Sequence, residues 1–336
     1  MKEHNEWADS VLPNHNRLTD SVVTILDNLI RKLDMDVLSI SGRTKGRDDI
    51  LEKIKRKNYK NPSKDMTDIS GIRVIVYLES DINIVSHIIE SAFNVDQDNS
   101  LNQDERLLVN QTGYRSVHYV CDLGENRVTL PEFSDLVGLK FEVQVRTVLQ
   151  HAWAELAHDR NYKFSEKLPP DIERSLYLYA GMLEIADKGF SELSKKIDEY
   201  VQNVHCKTAK GDLDYTLDSL SLKEFVVNWA EKNNVEINDV YGRSDYSNLL
   251  SELEQFGINT AQQLNSIIPP DYADKCAENN YISTVFGLVR DWMLIHDWRR
   301  FVKDVSFDWV MSSEHVFDEY FNEDEMKEFS NSFSWE

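Results

Sequence analysis

The 336-residue chain is poor in cysteine, proline and glycine and has no long apolar run. Its three cysteines, Cys121, Cys206 and Cys276, lie far apart with no CxxC pair. Neither a disulfide scaffold nor a thiolate zinc site is therefore expected, and a reducing cytoplasmic setting is. Seven prolines and twelve glycines exclude collagen-like and low-complexity architectures. No segment approaches the roughly 18 apolar residues of a membrane span, so no membrane partner is expected. The opening MKEHNEWADS lacks the basic-then-apolar order of a signal peptide, and none is expected. Basic residues are also in deficit, with 37 Lys and Arg against 59 Asp and Glu and a formal net charge of −22. That balance argues against a general nucleic-acid binder.

The chain does have the apolar content of a folded core, 41% hydrophobic beside 29% charged residues. Its charge is unevenly spread. Residues 1–200 hold 26 basic and 34 acidic residues, a net of −8, while 201–336 hold 11 and 25, a net of −14. Within the first part, Arg43 to Lys64 carries nine basic residues against three acids. Such an island is either a solvated helix face or a local anion site.

Periodicity supplies the elements. Residues 19–38 place Val22, Ile25, Leu26, Leu29, Ile30 and Leu33 three or four apart, which predicts a helix. SISGRTKGRDD reads as a short strand and a glycine-punctuated turn, with Asp48 or Asp49 capping a helix that runs to about Lys57. Residues 69–78 have the β-branched, apolar character of a buried strand, 82–93 are helical, and 94–112 have the composition of a loop. Strands are expected over 115–123 and 139–147. In the second, Phe141, Val143 and Val145 alternate with Glu142, Gln144 and Arg146, so that an acid, an amide and a guanidinium share one face. Helices follow over 149–159 and 171–204. These elements predict an α+β domain over 1–205, a mixed β-sheet flanked by helices. From 206 to 336 an acidic, mainly α-helical domain is expected. It has two short helices joined at Gly257, a cap at Thr260, core tryptophans Trp292 and Trp298, and an acidic last helix or tail.

Asp68 and Glu142 each stand at or in a predicted strand beside apolar positions. Two strand-borne carboxylates suit Mg²⁺ when phosphates are the substrate, because this ion takes one or two carboxylates plus phosphate oxygens. The basic island would neutralise those phosphates. Tyr114, after Gly113, stands in a turn where an exposed ring can stack on a base. His151, Glu155 and His158 share a helix face at i, i+4 and i+7, as a metal site would, but the spacing is not HExxH and helix packing is the stronger reading.

Taken in order, SGRTKGRDDILEKIKRK, TDISGIRVIV, TGYRSVHYV and FEVQVRTVLQHAWAELAHD closely resemble the synthetase domain of the RelA/SpoT family, over roughly residues 19–205. The resemblance implies a nucleotidyltransferase-like mixed sheet and a GTP pyrophosphokinase that moves the β,γ-pyrophosphate of ATP to the 3′-hydroxyl of GDP or GTP. It implies ATP contacts by Arg43 and Lys45, a further phosphate contact by Lys53, and help from Arg47. It implies Mg²⁺ at Asp68 and Glu142, the latter also activating the acceptor hydroxyl. Tyr114 matches the guanine-stacking position, His118 the histidine of that block, and Gln144 and Arg146 complete the acceptor face. The stretch Asn110–Tyr114 has no lysine where ppGpp makers often carry one. That keeps open a toxic synthetase acting on the 3′ end of tRNA, and a degenerate nucleotide sensor is the third option. Only about forty residues precede the motifs, so synthesis without hydrolysis is expected. The C-terminal domain is expected to be regulatory, to restrain the basic site, or to bind a protein partner or a second copy.

Overall fold

The computed structural model describes residues 2–102, 116–158, 169–238, 245–311 and 316–334. Two compact units divide at Ser194 and Lys195.

The first unit is built on a mixed sheet of β1 (Val37–Thr44), β2 (Ser70–Val76), β3 (Asn94–Val95), β4 (Leu101–Asn102), β5 (Val117–Asp122) and β6 (Phe141–Thr147). The order is β1-β2-β6-β5-β3, with β4 also on β5. Among the described strands, β2 and β6 run parallel and the other pairs antiparallel. Helices α1 (Lys2–Arg31), α2 (Arg47–Lys57), α3 (Pro62–Asp65), α4 (Glu79–Ala92), α5 (Glu125–Val128), α6 (Val148–His158) and α7 (Pro170–Ala209) accompany it, the last running on into the second unit. One face of the sheet is apolar. Leu18, Val22, Leu26 and Ile30 of α1 and Val85, Ile88 and Ile89 of α4 are buried in one cluster with Ile72, Val74, Val143 and Val145. Gly42 makes the α1 contact possible, because a Cβ there would meet Thr19 Cγ2 at 2.5 Å and Val23 Cγ2 at 2.8 Å.

Several boundaries differ from expectation. The first helix begins near the N-terminus and runs through Pro13, a residue that reads as a breaker. It ends at Arg31, not 38, and Asp34 turns the chain with a left-handed φ of 52°. The strand after it continues through Gly42 to Thr44, so Arg43 is a strand residue. Helix α2 is capped by the Gly46 backbone without a side-chain bond, and Asp48 and Asp49 lie in its first turn, where a carboxylate meets the positive end of the helix dipole. The polar stretch from 94 contains β3 and β4, and its remainder from 103 lies outside the described residues. Residues 171–204 belong to a single helix.

The second unit is helical: α8 (Ser219–Asn233), α9 (Ser247–Gln255), α10 (Ala261–Ile267), α11 (Tyr272–Glu278), α12 (Val285–Asp304, interrupted at Asp297) and α13 (Glu323–Ser332). As expected, Gly257 has a positive φ of 80°. Thr260 caps α10 by accepting from Gln263 N. Trp292 and Trp298 are buried. Trp229 packs edge-on against Trp292 at 4.9 Å. Among the described residues no helix is long and apolar enough to cross a membrane.

Candidate active site

The sheet's other face carries the polar residues, and register decides which of them meet. Arg43 pairs with Gly71, and Gly71 with Glu142; one row along, Ser41, Arg73, Gln144 and His118 stand in line. Residues paired across neighbouring strands project to the same side. Gly71 places no side chain between Arg43 and Glu142, which leaves a hollow on the sheet. A cleft of about 540 Å³ lies there, lined by Arg43, Lys45, Lys53, Arg56, Asp68, Arg73, Glu142, Gln144 and Glu155 among others.

Asp68 stands in the segment just before β2, not within it. The Lys45 ammonium donates to its Oδ2 at 2.9 Å and to its carbonyl oxygen at 2.7 Å. Lys53, in the second turn of α2, donates to the same Oδ2. Burial alone would raise the Asp68 pKa, but the hydrogen bonds and charges of Lys53 and Lys45 outweigh it and hold the carboxyl below its ordinary value. Oδ1 is buried with no hydrogen-bond partner among the described residues.

Glu142 receives His118. Nδ1 of the imidazole lies 2.5 Å from Glu142 Oε1, and Nε2 lies 2.6 Å from Ser116 Oγ. Burial pushes the Glu142 pKa up, the His118 hydrogen bond and charge pull it down, and the nearby Asp68 carboxylate opposes them. The net position is below the ordinary value, so Glu142 is a carboxylate at neutral pH. Asp68 and Glu142 thus share one cleft and sense each other's charge. The orphaned Asp68 Oδ1 beside a second carboxylate fits a Mg²⁺ ion that takes its remaining ligands from phosphates and water.

Other residues expected at the site are placed differently. The Arg47 guanidinium is turned away to α1, donating to Asp9 at 2.7 Å, and does not line the cleft. His118 stands behind Glu142 and outside the lining. Arg146 is on the same face of β6 but beside His151, whose pKa is lowered by burial and by the charges of Arg73 and Arg146. Tyr114 lies outside the described residues. His151 and Glu155 approach only to 3.7 Å, and Glu155 instead accepts from Arg73 at 3.0 Å. Among the described residues no three His, Cys, Asp or Glu side chains converge on a metal position.

Arg73 and Arg56 line the cleft without having been singled out from sequence. Arg73 had a signal: it is the one charge inside the apolar run ISGIRVIV.

Residues 42–167 match the profile of the region found in RelA / SpoT proteins. The GTP pyrophosphokinase YjbM of Bacillus subtilis (strain 168) is 28% identical over 164 residues, covering 48% of this chain and 73% of that protein. GTP pyrophosphokinase YwaC of the same organism is 27% identical over 169 residues, covering 47% and 73%. The crystal structure of small alarmone synthetase 1 from Bacillus subtilis superposes with a TM-score of 0.48 at 26% identity, covering 58% of this chain and 99% of that one.

Proposed function

We propose that the RelA/SpoT-family domain carried by the first unit transfers the β,γ-pyrophosphate of ATP to the 3′-hydroxyl of GDP or GTP. The observation that carries this reading is the meeting of Asp68 and Glu142, from separate segments, in one cleft walled by Lys45, Lys53, Arg43 and Arg73.

Asp68 and Glu142 would hold Mg²⁺, which supplies neutralisation of phosphate charge. Lys45 and Lys53 exchange the Asp68 carboxylate for donor phosphates, since both Nζ atoms already converge there. Arg43 and Arg73 project from neighbouring strands into the cleft, and their planar guanidinium groups are suited to stacking on a base or forking onto phosphate. The acceptor 3′-oxygen attacks the β-phosphorus of ATP, the bond from that phosphorus to the α–β bridging oxygen breaks, and AMP leaves. The hydroxyl proton passes to Glu142, a carboxylate at neutral pH and oriented by His118. The remaining work is positioning and charge neutralisation, as in other phosphoryl transfers.

The test is incubation of the full chain with β-labelled ATP, Mg²⁺ and GDP, GTP or tRNA in turn. Label is expected on GDP and GTP with release of AMP, and Glu142→Gln should lower the rate about 10²–10⁴-fold. Label on tRNA alone would replace the acceptor assignment. Nucleotide binding without turnover would make the domain a sensor, and full activity in Glu142→Gln would remove the assigned base.

A further inference from the structure

The second unit, beyond the residues that match the RelA/SpoT region, has a cavity of its own of about 920 Å³. It lies against the start of α12 and the segment around Trp309, and it is large enough for a small organic ligand.

Its polar anchor is Asp291, on the second turn of α12, which lines the cavity and is only 6% exposed. Oδ2 accepts hydrogen bonds from the hydroxyls of Tyr272 at 2.7 Å and Tyr281 at 2.9 Å. Both donors are neutral. Oδ1 accepts none from the described residues, and Asp291 lines the cavity. The adjacent cation cannot compensate, because Arg290 is committed to Glu252 through two hydrogen bonds of 2.9 and 2.6 Å. A nearly buried carboxylate without a counter-ion among the described residues is expensive to keep, and the field that makes it so favours a cation entering the cavity. Among the described residues, the remaining charged side chains on the cavity wall, Asp318 and Glu319, are acidic as well. The Phe286 and Trp309 rings are already taken by the Arg290 guanidinium, 5.5 and 4.5 Å from their centroids, but Ile282, Leu294, Val310 and Met311 supply apolar wall, which suits an organic cation with an apolar body. A divalent metal would require more oxygen ligands than one carboxylate offers, and no three metal-binding side chains converge among the described residues.

We propose that this cavity binds an organic cation with N–H donors, an ammonium or amidinium on an apolar body, anchored on Asp291 Oδ1. The tyrosine bonds hold the carboxylate with that oxygen toward the ligand, and the apolar walls receive the body.

The test is calorimetric titration of the full chain at pH 8 with benzamidinium and phenethylammonium, each beside its neutral counterpart, benzamide and 2-phenylethanol. At least one cation should bind saturably, and its neutral counterpart at least tenfold more weakly. Asp291→Asn keeps an oxygen acceptor for both tyrosines while removing the charge, and should weaken the cation at least tenfold. Should that variant not fold by circular dichroism, Ile282→Arg serves instead. Ile282 lines the cavity and is 50% exposed, so the substitution sets a fixed cation at the edge and should abolish binding. Absence of saturable binding by both cations, equal affinity for the neutral compounds, or unchanged binding in the folded variant would each overturn the proposal.

Discussion

His118 Nδ1 lies 2.5 Å from Glu142 Oε1, tying β5 to β6 beside the cleft. Its other ring nitrogen is held by Ser116, so the imidazole orients Glu142 and does not itself line the cleft.

This arrangement predicts the signature of a positioning residue. His118→Ala should lower kcat about 10–100-fold with little change in KM for ATP, as when an outer partner of a ligating group is lost. Because the His118 hydrogen bond and charge help hold Glu142 below its ordinary pKa, the acidic limb of the pH–rate profile should also move to higher pH. An unchanged acidic limb would show that His118 does not act through Glu142.

Arg43 and Arg47 should separate cleanly. Arg43 lines the cleft and pairs with Asp49 at 3.2 Å, whereas Arg47 is paired with Asp9 of α1. Loss of a charge-assisted contact predicts a rise of about tenfold or more in KM for ATP in Arg43→Ala. Arg47→Ala should leave KM within about twofold, losing only an exposed ion pair. Steady-state kinetics at saturating acceptor checks both.

Asp68 and Glu142 should contribute to stability in acid. Both folded-state pKa values lie below the ordinary 3.8 and 4.5. Their contribution is therefore complete above those ordinary values and is lost as pH falls through the lower folded ones. Thermal melts from pH 7 to 3 should show Asp68→Asn and Glu142→Gln closest to the parent at the acid end. A gap that widens on acidification would contradict the assignment.

Asp291 should act with the opposite sign. Burial raises its pKa, the Tyr272 and Tyr281 hydrogen bonds oppose that, and the result is about 7 against an ordinary 3.8. Between those values the folded state holds a proton that the unfolded state releases, so Asp291 lowers stability as pH rises through that window. Asp291→Asn should flatten the decline between about pH 4 and 7 in the same melts.

The apolar face of the sheet can be tested at Phe141, which is fully buried and meets the Phe93 ring edge-on at 5.1 Å. Phe141→Ala should cost about 3–5 kcal/mol in denaturant unfolding. A loss below about 1 kcal/mol would mean that the site collapses around the missing ring.

The strand pattern around Glu142 was legible because period two is local: a residue's neighbours along the chain decide which face it shares. The same holds for Gly257 and Thr260, where a positive φ and a short hydroxyl cap are properties of a few consecutive residues. The first half of α1 lies ahead of the apolar spacing that begins at Val22 and contains Pro13, a poor helix residue taken alone; tertiary packing overrides that preference, with Ala8 on one side of it and Leu18 on the other both fully buried. The sequence by itself settled which residues carry charge on an otherwise apolar sheet and in what order they follow. Only tertiary structure decided which of them meet. Lys45 and Lys53 converge on one oxygen of Asp68, His118 reaches Glu142, and Arg47 turns to Asp9, through strand register and helix packing between segments up to 38 residues apart. Those long-range contacts depend on closing loops and burying surface together, which no local pattern encodes.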